Sequence, residues 1–588
     1  MIVPMRKATI LFETGDAEAT VKYLRELGVL HVEHQNLPEG RDISVLQENV
    51  ALINSSFDVL DRATAAENDA RPQNNITGDW MAVANHIIEL GRRQEQQESL
   101  SGNLLGHISE WERWGDVDLD RIQHLSQNGV YLKLYQVPLK EINRFPDDVV
   151  VKTIFSAGDI AYCVVISHRQ FACAFKEVLP PGQGLSSLQQ QLAGNIMDIG
   201  RTKGEILASA CFSQALRKTR KTLEKEIEIQ RVLSGMGKEG AISYVTGYIP
   251  FDEEGQLIAT ARDRKWGIVI DEPSADDNVP TLLRNPGWVC RIKPVFDLLG
   301  ITPGYRELDV STLFLIFFAI FFGILIGDAG YGLVYILITL GLQKTMGHNP
   351  EMKTTISLFY LLGSCAILWG VLTGTFFGQQ WLLDLGYTPL VPQLNDANSM
   401  QTFCFFLGAL HLSIAHSWRA VLKYPSLAAL AEVGWICILW TAFFLARTLI
   451  LGEAFPSLGI WLVATGIVLV ILFTSPQAHV FRAVGDGLGT LVLSFMNNIT
   501  DVISYVRLFA VGLATLAIAE TTNTLASGFG EGVVALVAGI VILIIGHGLN
   551  IILGPMSVLV HGVRLNVLEF SGHANVTWSG EAFEPLKE

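Results

Sequence analysis

Apolar residues follow two different patterns along the 588 residues of this chain. Up to about residue 306 they alternate with polar residues at strand spacing or recur every three or four positions at helix spacing, as in soluble domains. Beyond residue 307 they form long runs, and about 20 apolar residues are enough for one helix to cross the hydrocarbon core of a membrane. We therefore predict a cytoplasmic α+β domain over 1–306 and an all-α transmembrane domain over 307–588.

The first 306 residues predict two α/β lobes. Strand-like segments occur at both ends of this region and again in its middle, separated by turn-rich runs. The strand-like segments are MRKATILFE, VLHVEH, VYLKLYQV, DIAYCVVISH, AISYVTGYIP and KWGIVIDEP, and DAEATVKYLRELG has helical spacing that ends at a glycine. We predict a proximal lobe from residues 1–42 and 236–306, and a distal lobe from residues 114–184.

Two helical arms connect the predicted lobes. Residues 43–113 carry helical patterns interrupted by RPQNNITGD, and residues 185–235 carry an apolar stripe at helical spacing after PPGQG. A single-stripe helix of about 50 residues is about 75 Å long, which no compact domain requires. A long antiparallel coiled coil of the two arms, giving a dumbbell, fits this length. The alternative is a short helical bundle broken at Gly194, Gly200 and Gly204.

The C-terminal half predicts eight membrane helices. The apolar runs span 311–327, 329–343, 355–378, 401–418, 430–447, 457–474, 487–526 and 532–562. The seventh run has about 40 residues and would be about 60 Å long as one helix, twice the thickness of a hydrocarbon core. We expect the last two helices to be long and tilted, unless the seventh run is two segments joined by a re-entrant turn.

Charge refines this topology. The chain has 42 Lys and Arg against 57 Asp and Glu, a net charge of −15, which argues against a nucleic-acid partner. Basic residues concentrate in the loops on one side, the bias expected of cytoplasmic loops, and the N-terminus lacks the apolar core of a signal peptide. Both termini are therefore predicted to be cytoplasmic. The seven scattered cysteines favour neither a disulfide framework nor a zinc site.

One charged residue lies within an apolar run. Arg507 is about 20 residues into the seventh run, in DVISYVRLFAVGLATLAIAE. Arginine keeps its charge at any relevant pH, and placing it at the centre of a membrane helix costs about 2.5–3.5 kcal/mol on insertion scales. Snorkelling or an ion pair with Asp501 or Glu520 would be a structural explanation. A fixed cation beside a water-accessible cavity, facing a protein partner, would be a functional one.

Other polar residues concentrate in the last two runs. Glu520 and His547 are titratable and could relay protons, although each could instead make a helix-packing hydrogen bond. His411 and His416 in the fourth run are interpreted as structural or interfacial. Further candidates for an ion path are Asp501, Ser504, His561, Arg564 and Glu569. The sequence has no Walker phosphate loop, GxGxxG, GxSxG or HExxH motif, so we predict no ATP, catalytic, metal or cofactor site on this chain.

Four segments resemble one protein family. SYVRLFAVGLA, around Arg507, is similar to the seventh-helix signature of the membrane subunit of vacuolar/archaeal-type rotary ATPases, called subunit a or subunit I. FGILIGDAGYG resembles the family's FGDxGxG motif, GHGLNIILGPMSVLVHGVRLNVLEFSGH its eighth helix, and EAFEPLKE its terminus. The resemblance covers the whole architecture, and the chain length and short outer loops look like the bacterial or archaeal form.

The resemblance implies a non-catalytic stator subunit that translocates ions. Arg507 would face each carboxylate of a rotating proteolipid ring (c or K), with Arg564 in support, while two half-channels connect the ring to opposite sides of the membrane. The cytoplasmic arm would bind peripheral stalk subunits of the E/G type, and a central-stalk subunit of the d/C type would be a further partner. The implied location is a bacterial or archaeal cell membrane, and the implied ion is H⁺ rather than Na⁺.

The chain departs from the family pattern at two positions. Thr515 stands where members often carry a histidine or another polar residue, and Gly554 stands where eukaryotic relatives carry a glutamate. The family's half-channel carboxylates are therefore not transferred to this chain. A secondary ion transporter with a cytoplasmic regulatory domain is the alternative function, although we find no internal repeat of the kind that transporters show. A membrane-anchored scaffold would leave Arg507 unexplained.

Overall fold

The computed structural model describes residues 1–64, 79–115, 119–146, 148–169, 173, 175–178, 184–379, 386, 388–474, 480–528, 530 and 532–587. By their contacts they form two units. The first comprises Met1–Ile10, Val29–Glu33 and Thr246–Pro585, and the second comprises Leu11–Gly28, His34–Val245 and Leu586–Glu588. Residues 65–70 of the first predicted arm helix, and most of RPQNNITGD and PPGQG, lie outside the described residues.

The second unit is mainly helical. Its described helices are α1 (Ala17–Leu27), α2 (Arg41–Thr64), α3 (Trp80–Trp111), α4 (Leu119–Gln127), α5 (Leu185–Ser209) and α6 (Ser213–Gly235). The predicted helix over 185–235 is interrupted by a turn of 3₁₀-helix at Ala210–Phe212. Gly194, Gly200 and Gly204 lie inside α5 with open space beside them, so they do not break the arm.

The long helices of this unit form two antiparallel pairs, α2 with α6 and α3 with α5. The contacts that fix these directions are Asn54 with Arg220, Phe57 with Arg217, Gln97 with Asn195, and Ile108 with Leu188. Apolar side chains, including Ile53, Ile87 and Ile206, are buried between the helices. The stripes seen in the sequence are thus covered by partner helices, as amphipathic arms require.

Two sheets account for the strands of the described residues. Their strands are β1 (Met5–Glu13), β2 (His31–Glu33), β3 (Tyr131–Pro138), β4 (Val150–Ala157), β5 (Ile160–Ser167), β6 (Lys176–Val178), β7 (Gly237–Glu239), β8 (Ile242–Pro250) and β9 (Gly267–Asp271). One sheet has the order β2-β8-β1-β9 with β7 paired to β8, and the other has the order β4-β5-β3-β6. In the second sheet β3 and β5 are antiparallel, with Tyr131 opposite Ser167.

The predicted strand segments coincide with β1, β2, β3, β5, β8 and β9, whereas β4, β6 and β7 were not predicted. β4 has mostly exposed residues on both of its faces, so it lacks the alternation that marks a half-buried strand. The core beside it is aromatic. Trp114 is 4% exposed and packs edge-on against Tyr162, with 5.2 Å between ring centroids, and Tyr162 stacks on Phe155.

All eight predicted apolar runs overlap helices of the first unit. α7 (Glu254–Arg264) and α8 (Lys293–Leu299) precede α9 (Ser311–Ile326), α10 (Ala329–Met346), α11 (Pro350–Thr373), α12 (Ala397–Lys423), α13 (Ala429–Leu451), α14 (Ser457–Phe473), α15 (Val480–Ser504), α16 (Val506–Ser527), α17 (Val533–Ser557) and the short α18 (Ser571–Ala574). Helix α9 is at the centre of this unit, because its apolar side chains are buried on almost every side.

Fewer than eight helical stretches satisfy length and composition criteria for crossing a membrane. Four described stretches do so, and α9 with α10, which meet at 120°, would count as a fifth if the pair were one span. The four are Met352–Thr373, Ala429–Leu451, Ser494–Ser527 and Val533–Ala574. α14 is apolar but short, and α12 carries two histidines, an arginine and a lysine. The eight-span topology therefore stays a prediction.

The segment FGILIGDAGYG forms the sharp bend between α9 and α10. Gly327 ends α9 in the left-handed conformation, with φ of 65°, which glycine adopts at little cost. The buried Asp328 carboxylate then accepts hydrogen bonds from the amides of Gly330, Tyr331 and Gly378. This motif is therefore a structural cap that holds the bend and the chain after α11 together.

Candidate functional site

The long helix that carries Arg507 is interrupted for one residue. α15 ends at Ser504 and α16 begins at Val506, with the fully buried Tyr505 between them. Residues 494–527 still form one candidate span of 34 residues, so the structure has no re-entrant turn here. At helical rise this stretch extends for about 50 Å, longer than a hydrocarbon core is thick.

His411 and Gly408 hold Tyr505 in this position. Its hydroxyl lies 2.8 Å from Nδ1 of His411, whose ring stacks between Phe317 and Phe570. Gly408 lies against the tyrosine ring so closely that a Cβ atom there would be 2.6 Å from a ring carbon. His411 is thus a buried structural residue, as the sequence suggested, and it fixes the break two residues before Arg507.

Arg507 lies in the first turn of α16 beside a buried carboxylate. Its Nη2 atom is 3.8 Å from Oε1 of Glu569, and Nε of Arg564 is 3.7 Å from the same oxygen. The side chain of Glu569 is 5% exposed, that of Arg507 24% and that of Arg564 54%. Among the described residues, Nη1 of Arg507 and Oε2 of Glu569 are buried and have no hydrogen-bond partner.

Irregular helix after α17 brings the second arginine and the glutamate together. Pro555 lies inside α17, where it removes a backbone donor, and π-helical segments follow at Val558–Gly562 and Leu565–Phe570. Because a π-helix bonds each residue to the fifth one along the chain, Arg564 and Glu569 lie on the same face. Single π-helical turns are frequent at functional sites. His561 lies in the first of these segments and is partly exposed.

Arg507 does not pair with the carboxylates first considered for it. Asp501 instead lies 3.1 Å from Nε2 of His573. Glu520 is exposed and lies further along α16, where it lines a cavity of about 300 Å³. Ser504 donates its hydroxyl hydrogen to the carbonyl oxygen of Thr500 within its own helix. The structure thus brings Arg507, Arg564 and Glu569 together and leaves Asp501, Ser504 and Glu520 outside that cluster.

His547 belongs to a second polar group. Its Nδ1 atom is 2.7 Å from the Tyr331 hydroxyl, and its Nε2 atom is 3.0 Å from Oδ1 of Asn523. The Asn550 amide donates to the same tyrosine hydroxyl and to the carbonyl oxygen of Thr515. Thr515, one of the two departures from the family pattern, therefore contributes its backbone to this group.

Sequence reasoning missed several polar residues of this region. Glu432 is 2% exposed and contacts His416, which itself contacts His573. Glu432 is a charged residue within the apolar run LAALAEVGWICILW. The same pattern singled out Arg507, so Glu432 could have been identified from the sequence. His573 could not have been identified in this way, because it follows the last apolar run and only the π-helical segments bring it to His416.

Comparisons with known proteins agree with this architecture. No family model matches the chain. V-type ATP synthase subunit I 1 of Treponema pallidum is 30% identical over 635 residues, and V-type ATP synthase subunit I of Borreliella burgdorferi is 28% identical over 615 residues, each match covering 100% of both chains. A-type ATP synthase subunit I of Methanocaldococcus jannaschii is 26% identical over 404 residues, which are 60% of this chain and 56% of that protein.

Among solved structures, the crystal structure of the cytoplasmic N-terminal domain of subunit I, homolog of subunit a, of V-ATPase matches 45% of this chain and 99% of its own length, at 13% identity and a TM-score of 0.26. The full-length match at 30% identity settles the family. This chain therefore belongs to the subunit I family of V-type and A-type ATP synthases.

Proposed function

We propose that this chain is the membrane stator of a V/A-type rotary ATP synthase and that Arg507 faces each carboxylate of a rotating proteolipid ring. The observation that carries this proposal is the Arg507 side chain, a permanent cation in an apolar helix with about a quarter of its surface open. Its only ionic partner among the described residues is a carboxylate shared with Arg564. A second carboxylate presented by a partner would complete its coordination.

The electrostatics of this contact explain how an ion is released. Two unit charges 4 Å apart attract by about 4 kcal/mol at an effective dielectric near 20. This attraction favours the ionised form of the ring carboxylate, so the carboxylate loses its ion as it reaches Arg507. The fixed charge also prevents an ion from crossing directly between the half-channels. An arginine suits this position better than a lysine, because it cannot lose its proton and offers a planar fork of donors.

The surface around Arg507 suits contact with lipid and a rotor. Large apolar side chains of α17 are exposed over most of its length, including Val534, Leu536, Ile544 and Ile552. In the most apolar 18-residue stretch of this last span only 11% is buried within the chain, against 56% in the corresponding stretch of α13. An exposed apolar face of this length needs lipid or a partner to cover it.

The cavity beside Glu520 is proposed as the half-channel that opens away from the cytoplasm. It is lined by polar groups of α11, of α16 and of the segment between α11 and α12, including Thr373, Gln379 and Asn395. Phe509 and Gly512, which are close to Arg507 along α16, line the same cavity. His547 and its hydrogen-bonded neighbours would act at this half-channel, and His561 beside the arginine cluster. The conducted ion is proposed to be H⁺.

The remaining parts of the chain would anchor the stator. Eight membrane helices, the last two tilted, would place both termini in the cytoplasm of a bacterial or archaeal cell. The antiparallel arms would form the coiled coil of a dumbbell whose lobes bind the peripheral stalks and contact the central-stalk subunit. Full-length similarity to subunit I disfavours the alternative, a secondary ion transporter with a regulatory domain.

Substitution of Arg507 tests this function. In vesicles that contain the whole complex, Arg507→Ala should abolish ATP-driven ion transport while the ring and head subunits still co-purify. Arg447→Ala is the matched control, because Arg447 also lies on an apolar helix but pairs with Glu453 at its end. Transport by the assembled Arg507→Ala complex at the rate of the control would refute the proposed role.

A further inference from the structure

Four titratable side chains from four helices form a continuous hydrogen-bonded chain. Oε2 of Glu432 lies 2.6 Å from Nδ1 of His416, and Nε2 of His416 lies 2.9 Å from Nδ1 of His573. Nε2 of His573 lies 3.1 Å from Oδ2 of Asp501. These residues come from α13, α12, α18 and α15. Each imidazole uses one ring nitrogen for each neighbour, so the chain has no gap.

The number of protons in this chain follows from its geometry. Each of the three hydrogen bonds needs one proton between its two atoms, so the chain holds three. Two neutral imidazoles carry two protons, and two ionised carboxylates carry none. The fully bonded chain therefore holds one excess proton, carried either by an imidazole or by a carboxyl group. A chain of this composition stores a proton and can pass it along.

Basic residues and a cavity border the chain. Arg419 and Lys423 bond Oε1 of Glu432 at 3.0 and 2.5 Å, and the Lys423 side chain is 41% exposed. Arg419 also donates to the carbonyl oxygen of His573. A cavity of about 320 Å³ is lined by three residues of the chain, His416, His573 and Asp501, and by the polar side chains of Ser494, Asn497 and Asn498. This polar space is large enough for water.

The two ends of the chain lie in different surroundings. Glu432, in the first turn of α13, bonds Lys423 at the C-terminal end of α12, so this end of the chain leads toward the membrane side with the exposed lysine. Asp501 is six residues before Arg507, about 9 Å along the helix, and its side chain is 27% exposed. One end thus lies against the partly exposed Lys423 and the other approaches the arginine.

We propose that Glu432, His416, His573 and Asp501 form the proton wire of the half-channel on the Lys423 side, a role that rests on the proposed function. A proton released by the ring carboxylate would bind Asp501. It would move to Nε2 of His573 while the Nδ1 proton of His573 moves to Nε2 of His416. The Nδ1 proton of His416 would move to Glu432, which releases it to solvent. One proton enters, one leaves, and the imidazoles recover their first tautomers through water in the cavity. ATP-driven pumping would run the same steps in reverse, from Glu432 to Asp501 and the ring.

This wire also selects the ion. Imidazole nitrogens pass a proton by exchanging a covalent N–H bond for a hydrogen bond, and a sodium ion cannot follow that route. The wire therefore specifies H⁺ as the ion of the Lys423-side half-channel. A purely structural role would instead need only the hydrogen bonds that hold the four helices together.

Chemical rescue separates these two roles. In vesicles with the whole complex, His573→Ala and His416→Gln should each slow ATP-driven acidification by about tenfold or more, the scale of a lost proton-transfer group. Imidazole should restore coupled ATP hydrolysis to His573→Ala, whereas 1-methylimidazole, with one exchangeable ring nitrogen, should not; hydrolysis is the readout because both compounds are permeant bases that dissipate a pH gradient. If both compounds restore it equally, or neither variant slows acidification, the wire is refuted.

Two further measurements keep the outcomes distinct. If His573→Ala does not assemble, His573→Asn replaces it, because asparagine keeps hydrogen bonds but cannot relay a proton; acidification at the unmodified rate would then refute the wire. Uptake of radioactive Na⁺ without acidification by the unmodified complex would also refute it. Transport by Arg507→Ala would instead refute the proposed function. If Arg507→Ala loses transport while the His573 variants transport at the unmodified rate, only the wire is refuted.

Discussion

Arg507 and Arg564 share a single carboxylate oxygen, Oε1 of Glu569, at 3.8 and 3.7 Å. Two positive charges and one negative charge leave this cluster with a net charge of +1. Glu569 therefore offsets part of the cost of placing two cations in an apolar domain without neutralising Arg507. The remaining charge is what an approaching carboxylate of the proposed ring would meet.

Removing the charge of Glu569 should disturb both stability and transport. Glu569→Gln leaves two cations without a counter-charge. Breaking a buried pair costs about 3–5 kcal/mol of folding free energy, and because Arg564 is half exposed we expect a loss of about 3 kcal/mol. Arg507 should also hold the ring carboxylate more tightly, so pumping by the assembled complex should slow several-fold. Thermal unfolding and acidification of vesicles measure the two effects.

The control for this change is Glu453→Gln, which alters an ion pair at the end of α13. Glu453→Gln should leave both the unfolding temperature and pumping nearly unchanged, since exposed pairs contribute about 0–1 kcal/mol. Equal effects of the two substitutions would contradict a special role of Glu569.

An ion pair outside the membrane helices should give a pH-dependent contribution to stability. Nζ of Lys7 lies 2.8 Å from Asp277 and 3.2 Å from Glu33. The hydrogen bond from Lys7, with that from the Ser274 amide, lowers the pKa of Asp277, and the bond to Asp277 raises the pKa of Lys7. A lowered carboxyl pKa stabilises the fold above the pKa of the unfolded chain, about 3.9, and this contribution is lost as the pH falls further.

Asp277→Asn should therefore lower the unfolding temperature by a similar amount at every pH between about 5 and 9. The loss should correspond to about 1 kcal/mol at most, because the pair is partly exposed. Below about pH 4 the difference from the unmodified chain should shrink. Thermal scans of both proteins across this range measure it, and a difference that grows toward acid would contradict the assignment.

The aromatic core of the β3–β6 sheet allows a test of the proposed stalk contact. Trp114 is buried against Tyr162 and Phe155, and Trp→Ala in a core costs about 3–5 kcal/mol. Trp114→Ala should therefore unfold this lobe and reduce co-purification of the peripheral stalks, as removal of residues 115–180 should. Trp288→Ala, at a half-exposed tryptophan, is the control. Normal stalk yield from a lobe shown to be unfolded would contradict the proposed contact.

Sequence patterns predicted the elements of this protein better than their contacts. Strand alternation and helical stripes located β1, β3 and the long arm helices, because one-sided burial leaves a periodic pattern. The same reasoning singled out Arg507, since a permanent charge in an apolar run is costly. It did not reveal Glu569 as the partner of Arg507. That contact depends on π-helical segments, which leave no periodic signal.

The break at Tyr505 was equally hidden, and Gly408 gives a way to test it. A Cβ atom at Gly408 would lie 2.6 Å from the Tyr505 ring, inside a core cluster with little room to adjust. Overpacking of this kind costs about 1–3 kcal/mol, and relief requires the ring to move away from His411. Gly408→Ala should therefore displace the helix break two residues before Arg507, and pumping should fall more than complex stability does.

Gly341→Ala is the matched control, because Gly341 also lies within an apolar helix but has open space beside it. Alanine there should be neutral or slightly stabilising, since glycine inside a helix is about 1 kcal/mol less favourable than alanine. Acidification of vesicles measures pumping by each variant, and thermal unfolding of the assembled complex measures its stability. If Gly408→Ala pumped as fast as Gly341→Ala, the position of Tyr505 would have no influence on Arg507. A drop in pumping confined to Gly408→Ala would tie the break in the helix to the placement of the charge.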